Sequence, residues 1–299
     1  MRRESLKVLA RQVAVAVGLS IAASLADAAA PKNKVTEEVI VEGTRPEIEE
    51  RAYTFVTGVT HDGYLTKSLA RWNQPICPLV AGIPAAQGEF ILRGVSQAAR
   101  AAGARLAARK CKANFHVVVT SDPDQLLEMW RKRAPRLFGG ESPTAVRRVM
   151  GTPRPIRIWY NAQEACAGGW TATQDAGGAL AQMFIDSGCR VKDTRLEFTA
   201  VRPISSVIVL VDFDDVKEMK LGALTDYISM VGMAQVDLDG NWGDAPTVLR
   251  LFSNSADAAV QRMSAWDRSF LKALYSTSQS SRFQRSEMAR SIGRDFVKE

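Results

Sequence analysis

Histidine is almost missing from this chain: His61 and His116 are the only two in 299 residues, and they stand 55 positions apart. With no His-x-x-x-His pair and no Cys-x-x-Cys, the usual ligand sets of a zinc hydrolase are excluded. Three glycine signatures are missing too: the Gly-x-Ser-x-Gly nucleophile elbow, the Gly-x-x-x-x-Gly-Lys phosphate loop and a Gly-x-Gly-x-x-Gly after a strand. Nothing in the pattern calls for a cofactor or a metal. Long apolar runs are scarce. The one near the N-terminus, Val13 to Leu25, covers about 13 residues, short of the ~20 that cross a bilayer. No later run is long enough, so no transmembrane segment is expected in the mature chain.

What the N-terminus does have is an export signal. Arg2, Arg3, Lys7 and Arg11 form a positive region, the apolar run follows, and Ala26-Asp27-Ala28 places small residues where signal peptidase reads them. Residues 1–28 are expected to be cleaved after Ala28, leaving a periplasmic or secreted protein. Arg2-Arg3 also resembles the start of a twin-arginine motif, with Ser5 where that motif prefers a large apolar residue.

Four cysteines, Cys77, Cys111, Cys166 and Cys189, lie in the exported part. In an oxidising compartment an even count favours disulfides, and four cysteines permit three connectivities. Sequence order favours Cys77 with Cys111 and Cys166 with Cys189, each pair bracketing an expected helix. Each such loop is worth about 3 kcal/mol in the chain-entropy model.

Hydrophobic residues at 46% and charged residues at 24% supply a normal core, so disorder does not explain the missing motifs. The formal charge is +7, and removing residues 1–28, with four basic and two acidic side chains, leaves +5. From Arg93 to Arg157, 14 Lys and Arg face only Asp122, Asp124, Glu128 and Glu141. Such a field favours anionic envelope components or another envelope protein. Nucleic acid is not expected outside the cytoplasm. A solvated basic face is the plainer explanation of the same residues.

Residues 29–60 read as a flexible N-terminal arm and 61–299 as a single α+β domain, with two subdomains parting near 134–155 if the domain divides. The expected fold has a mixed sheet of about four to six strands and an all-helical C-terminal third. Helical spacing of Phe90, Ile91, Val95, Ala98, Ala102 and Leu106 predicts a helix within Pro84 to Lys110. Asn114 to Thr120 reads as a buried strand, and Ser121-Asp122-Pro123-Asp124 caps a helix from Gln125 to Arg133. The Pro-, Gly- and Arg-rich stretch from Ala134 to Pro155 reads as a loop. Strands follow at Ile156 to Tyr160 and Arg195 to Val201, with a helix at Ala172 to Ser187 between them. Ser206 to Val211, rich in β-branched residues and apolar from Val207, predicts a central strand. Helices are expected over 221–236, 245–252, 264–275 and 281–297. In the last of these, Met288, Ile292 and Phe296 form one stripe, for packing onto the domain or for a membrane surface.

Two acidic patterns are candidates for chemistry. Asp212 and Asp214 in Val211-Asp212-Phe213-Asp214-Asp215-Val216 resemble the first motif of haloacid-dehalogenase-type phosphotransferases, with Asp212 as nucleophile and Asp214 as acid/base. The alternative is that these aspartates cap a short helix. Asp237-Leu238-Asp239-Gly240-Asn241 resembles the start of an EF-hand loop, but Trp242 and Val248 stand where that loop needs Gly and Glu. A polar helix-to-helix turn is the better reading of the segment.

From Arg195 to the end, and more loosely from Leu69, the chain resembles a group of exported proteobacterial domains of unknown function with a metallopeptidase-like layout. The resemblance is carried by Trp72, Pro75-Ile76 and Ala113-Asn114-Phe115, and by Asp267, Leu271, Leu274 and Tyr275 near the end. In that group one helix reads Glu-Glu-x-x-Gln-x-Leu-Gly. Here it reads Thr225-Asp226-Tyr227-Ile228-Ser229-Met230-Val231-Gly232, so Thr225 and Ser229 replace the first Glu and the Gln. The resemblance implies a relative that kept the scaffold without the general base. The function expected is a non-catalytic binding or scaffold domain of the envelope. The alternative is a peptidase-like or phosphatase-like hydrolase using Asp226, Tyr227 and Ser229, or Asp212 with Asp214.

Overall fold

The computed structural model describes residues 43–62, 67–166, 195, 200–253 and 261–297. The chain begins with α1 (Arg45–Val59), β1 (Arg71–Trp72), β2 (Pro78–Ala81), α2 (Ala85–Ala102) and β3 (Phe115–Thr120). Then come α3 (Pro123–Arg133), a 3-10 turn (Pro135–Phe138), α4 (Pro143–Met150) and β4 (Ile156–Ala162). Two short strands, β5 (Ala165–Cys166) and β6 (Ala200–Val201), pair with each other before β7 (Pro203–Asp212). After β7 the described residues hold only helices: α5 (Phe213–Val216), α6 (Leu221–Met233), a 3-10 turn (Val248–Phe252), α7 (Ala265–Ser276) and α8 (Gln284–Phe296).

The apolar run at 207–211 is the centre of a five-stranded mixed sheet. On one side β7 pairs parallel with β1, Trp72 opposite Ile204, and then with β3, from Phe115 opposite Val207 to Thr120 opposite Asp212. β2 extends the sheet parallel to β3, and β4 lies antiparallel on the other side of β7. Because β7 is covered on both faces, it needs no polar alternation. Val207, Val209 and Val211 point into a large core with α2, α6 and α7, whereas Ile208 and Leu210 point into a smaller one under α3 and α4. The α+β class, the strand count and the helical C-terminal region agree with the sequence reading.

The stretch from Ala134 to Pro155 differs from the loop expected there. Ser142 caps α4 by accepting from the Ala145 amide at 3.2 Å, and Pro143 sits in its first turn, where a missing N–H costs nothing. Val146 and Met150, four apart, then meet Phe138, Trp159, Ile208 and Leu210. The segment is the second layer over one sheet rather than a boundary between two subdomains, and Val39–Glu299 forms one compact unit.

Residues 45–59, expected as the end of a flexible arm, are α1. Its amide entry is closed by Glu47, whose carboxylate accepts from the Thr44 N–H at 2.7 Å. Ile48, Ala52, Phe55, Val56 and Val59 are fully buried, and Phe55 stands edge-on to Trp266 and Phe270 with centroids 5.9 and 5.7 Å apart. α8 packs through Met288 and Ile292, both buried in the large core, with Phe296 against Trp266, so its stripe is spent on packing.

α2 stops at Ala102, where Gly103 turns left-handed (φ 88°), and the returning loop brings Cys111 to disulfide distance from Cys77, Cα–Cα 6.0 Å. Cys189, the helix expected over 172–187 and residues 1–42, with the expected export signal, lie outside the described residues. No helix among the described residues is long and apolar enough to cross a membrane.

Candidate functional site

α6 carries three of the candidate side chains, and the helix is buried on almost every side. Thr225 and Ser229 lie one turn apart on the face toward α2 and the sheet. Contact there is close: a Cβ on Gly94 of α2 would fall 2.3 Å from the Thr225 methyl, and one on Gly232 would fall 2.1 Å from the Phe115 ring. Both hydroxyls turn back onto their own helix, Thr225 Oγ1 donating to the Leu221 carbonyl and Ser229 Oγ to that of Thr225, each at 2.7 Å. Neither side chain is exposed, and neither hydroxyl is joined to a base.

Asp226 points elsewhere. Its Oδ2 accepts from Arg262 Nε at 2.6 Å and from the Met263 amide at 2.9 Å, which ties the chain entering α7 to α6. Tyr227 is buried edge-on to Phe252 with centroids 4.8 Å apart. Burial pushes its phenol well above the ordinary range, opposed by Arg154, so it stays protonated at neutral pH. The structure therefore does not gather Asp226, Tyr227 and Ser229 around a common point.

Asp212 and Asp214 sit where β7 becomes α5. Asp212 Oδ1 accepts from the Asp214 amide at 3.1 Å, and the Asp214 carboxylate takes Lys217 Nζ at 3.0 Å. This is helix capping with an ion pair three residues on. Among the described residues no hydrogen bond or ion pair links either aspartate to the candidates on α6. The 237–241 segment is a turn over the end of α1: Asp237 accepts from the Asp239 amide, Asn241 from the Gly243 amide, and Asp239 takes both bonds of Arg154 at 2.7 Å. No cluster of three or more His, Cys, Asp or Glu fit to hold a metal occurs among the described residues.

Trp72, Asn114, Asp267 and Tyr275 lie at structural junctions. Asp267 is buried in the capping box of α7, where it accepts from the Ser264 and Val248 amides, both at 2.9 Å, and from Thr247 Oγ1 at 2.6 Å. Burial pushes its carboxyl above the ordinary range against the pull of those hydrogen bonds. Tyr275 Oη donates to the Met233 carbonyl at 2.7 Å, and Trp72 Nε1 to that of Gly232 at 2.8 Å. Asn114 Oδ1 accepts from the Cys77 amide at 2.7 Å while its Nδ2 donates to the Pro75 carbonyl at 3.1 Å, which sets β2 beside β3.

The basic stretch is not one face. Arg157 is buried against Asp124 and the partly exposed Arg154 pairs with Asp239, while the cations from Arg93 to Lys112 belong to α2 and the disulfide loop. The rest lie on α3, the 3-10 turn and α4. There Arg133, Arg136, Arg147 and Arg148 are exposed and make no ion pair among the described residues, whereas Arg131 and Lys132 engage Glu128. Lys132, then Arg131 and Arg147, hold the Glu128 carboxyl below its ordinary range, which places α4 beside α3. Exposed aliphatic residues interrupt this charge: Met129 is 40% and Val149 48% exposed. The sequence does not mark either one: Met129 looks like a core position of its helix, and Val149 falls in the stretch expected as a loop. No protein-family model, curated protein or solved structure matches this chain.

Proposed function

We propose that this chain is an exported envelope protein that works by binding, not catalysis, with anionic partners engaged through the α3–α4 layer. The observation that carries the reading is that the candidate catalytic side chains are engaged in packing, helix capping or ion pairs. Ser229 and Thr225 are closed in by α2 and the sheet, Asp226 is held by Arg262 and Met263, and Asp212 caps α5. A hydrolase needs a nucleophile or activated water within reach of a base, together with room for a substrate. The Cys77–Cys111 pair is compatible with an oxidising compartment, and the leader over residues 1–28 supplies the route. In the same reading, the resemblance to exported domains with a metallopeptidase-like layout reflects a retained scaffold: Trp72, Asn114, Asp267 and Tyr275 hold elements together.

Purified protein assayed against peptide, ester and phosphate substrates, with and without divalent cations, is expected to show no turnover. Immobilised protein is expected to retain anionic envelope components that rising salt releases. Turnover abolished by Asp226→Asn or Asp212→Asn would overturn the reading, as would partners indifferent to salt.

A further inference from the structure

We infer that the outer surface of the α3–α4 layer docks onto an anionic phospholipid bilayer. This rests on the reading of the chain as an exported domain with anionic partners, and it names the partner. Three observations carry it.

The first is unmatched charge. Arg133, Arg136 and Arg148 project from α3, the 3-10 turn and α4 without an ion pair among the described residues, while the nearby Glu128 is engaged by Arg131 and Lys132 and feels the charge of Arg147. A cation near an anionic membrane surface is attracted by the summed field of the head groups, without any single geometric partner.

The second is where the apolar residues stand. Three of the seven most exposed large hydrophobic side chains among the described residues belong to this side of the sheet: Met129 on α3, Val149 on α4 and Leu79 on β2. Leu79, 46% exposed, pairs in register with His116, whose neighbour Phe115 points into the large core. Side chains in register share a face, and successive ones alternate, so Leu79 and His116 face the α3–α4 side. The smaller core ends before it covers β2.

The third observation is dispersal. A protein partner draws most of its binding energy from a central cluster of aromatic or arginine anchors seated in pockets. Here the aliphatic residues are single and on three separate elements, two of which also carry exposed arginines. A bilayer interface accepts that pattern, because isolated aliphatics and arginine stems sink among the acyl chains while the guanidinium groups stay at the phosphates. α8 offers no alternative membrane face, since Met288 and Ile292 are buried.

The test is co-sedimentation of the full chain, as processed by an exporting bacterial host, with vesicles of mixed phosphatidylglycerol and phosphatidylcholine or of phosphatidylcholine alone. Binding is expected only to the anionic vesicles, weakening as salt rises. The double variant Arg133→Glu with Arg148→Glu is expected to lose at least about thirty-fold in partitioning. Met129→Ser with Val149→Ser is expected to lose roughly ten-fold while keeping the salt dependence. Arg290→Glu, on exposed α8 surface, is the control and is expected to bind like wild type. Coincident thermal melts establish that each variant is folded. Vesicle binding that is absent, or unchanged in both double variants, overturns the inference. If vesicles fail while polyglutamate is still held in a salt-sensitive way lost in the arginine variant, the bilayer is wrong and the anionic-partner reading stands. If neither binds, both fall.

Discussion

Trp72 and Tyr275 donate hydrogen bonds to consecutive carbonyls, those of Gly232 and Met233, and so close the C-terminal end of α6 from two sides. One comes from the first strand and the other from the end of α7. The last carbonyls of a helix have no partner within it, and burying them unpaired is costly. Tyr275→Phe removes only the donor, leaving the Met233 carbonyl buried. It is expected to lower the unfolding free energy by about 1–3 kcal/mol in urea titration, with no effect on partner binding.

Gly232 and Gly94 make a related prediction. Gly232→Ala would put a methyl group 2.1 Å from the Phe115 ring, inside contact distance, and the ring is fixed in the core. Overpacking of this kind costs about 1–3 kcal/mol. A variant as stable as wild type would mean that α6 is not pressed against the sheet, and the case against a cleft at Ser229 would fail with it.

Much of this fold can be read from the chain, and the exceptions have physical causes. β7 shows itself because five apolar residues in a row, Val207 to Val211, suit a strand covered on both faces. The Ser264-x-x-Asp267 box and Asp122 before Pro123 mark their helix starts through side-chain acceptors. α1 escapes because its surface is rich in Glu and Arg, so the stripe of Ile48, Ala52, Phe55, Val56 and Val59 is diluted. α4 escapes because proline and glycine flank it, and eight residues carry only two buried positions, Val146 and Met150. The candidate site was half legible. The sequence singles out Asp226 and Ser229 as polar residues in an apolar helix, but only packing reveals that one faces Arg262 and the other its own backbone.

Asp267 gives a pH dependence. Its folded carboxyl is pushed above the ordinary range by burial, so the folded chain holds this proton more tightly than the unfolded chain. The resulting contribution to stability is full below the unfolded carboxylate pKa of about 3.9 and is lost as pH rises from there through the raised folded value. Asp267→Asn removes this dependence. The gap in unfolding free energy between wild type and variant is therefore expected to be larger at acidic than at neutral pH. A gap that widens toward neutral pH would show that the hydrogen bonds from Thr247, Ser264 and Val248 outweigh burial.

The Cys77–Cys111 link spans α2 and fixes the entry to β2 beside the entry to β3. Cys77→Ser with Cys111→Ser is expected to cost about 3 kcal/mol, read as a lower denaturation midpoint. Reduction of the wild-type protein should reproduce that loss, and reduction of the variant should add nothing from this pair.

The most direct test of the account is retention of envelope components by three immobilised proteins: wild type, Arg133→Glu with Arg148→Glu, and Asp226→Asn with Ser229→Ala. The account predicts that the arginine variant loses salt-sensitive retention and that the α6 variant keeps it. Retention lost in the α6 variant and kept in the arginine variant, with both folded, would contradict it.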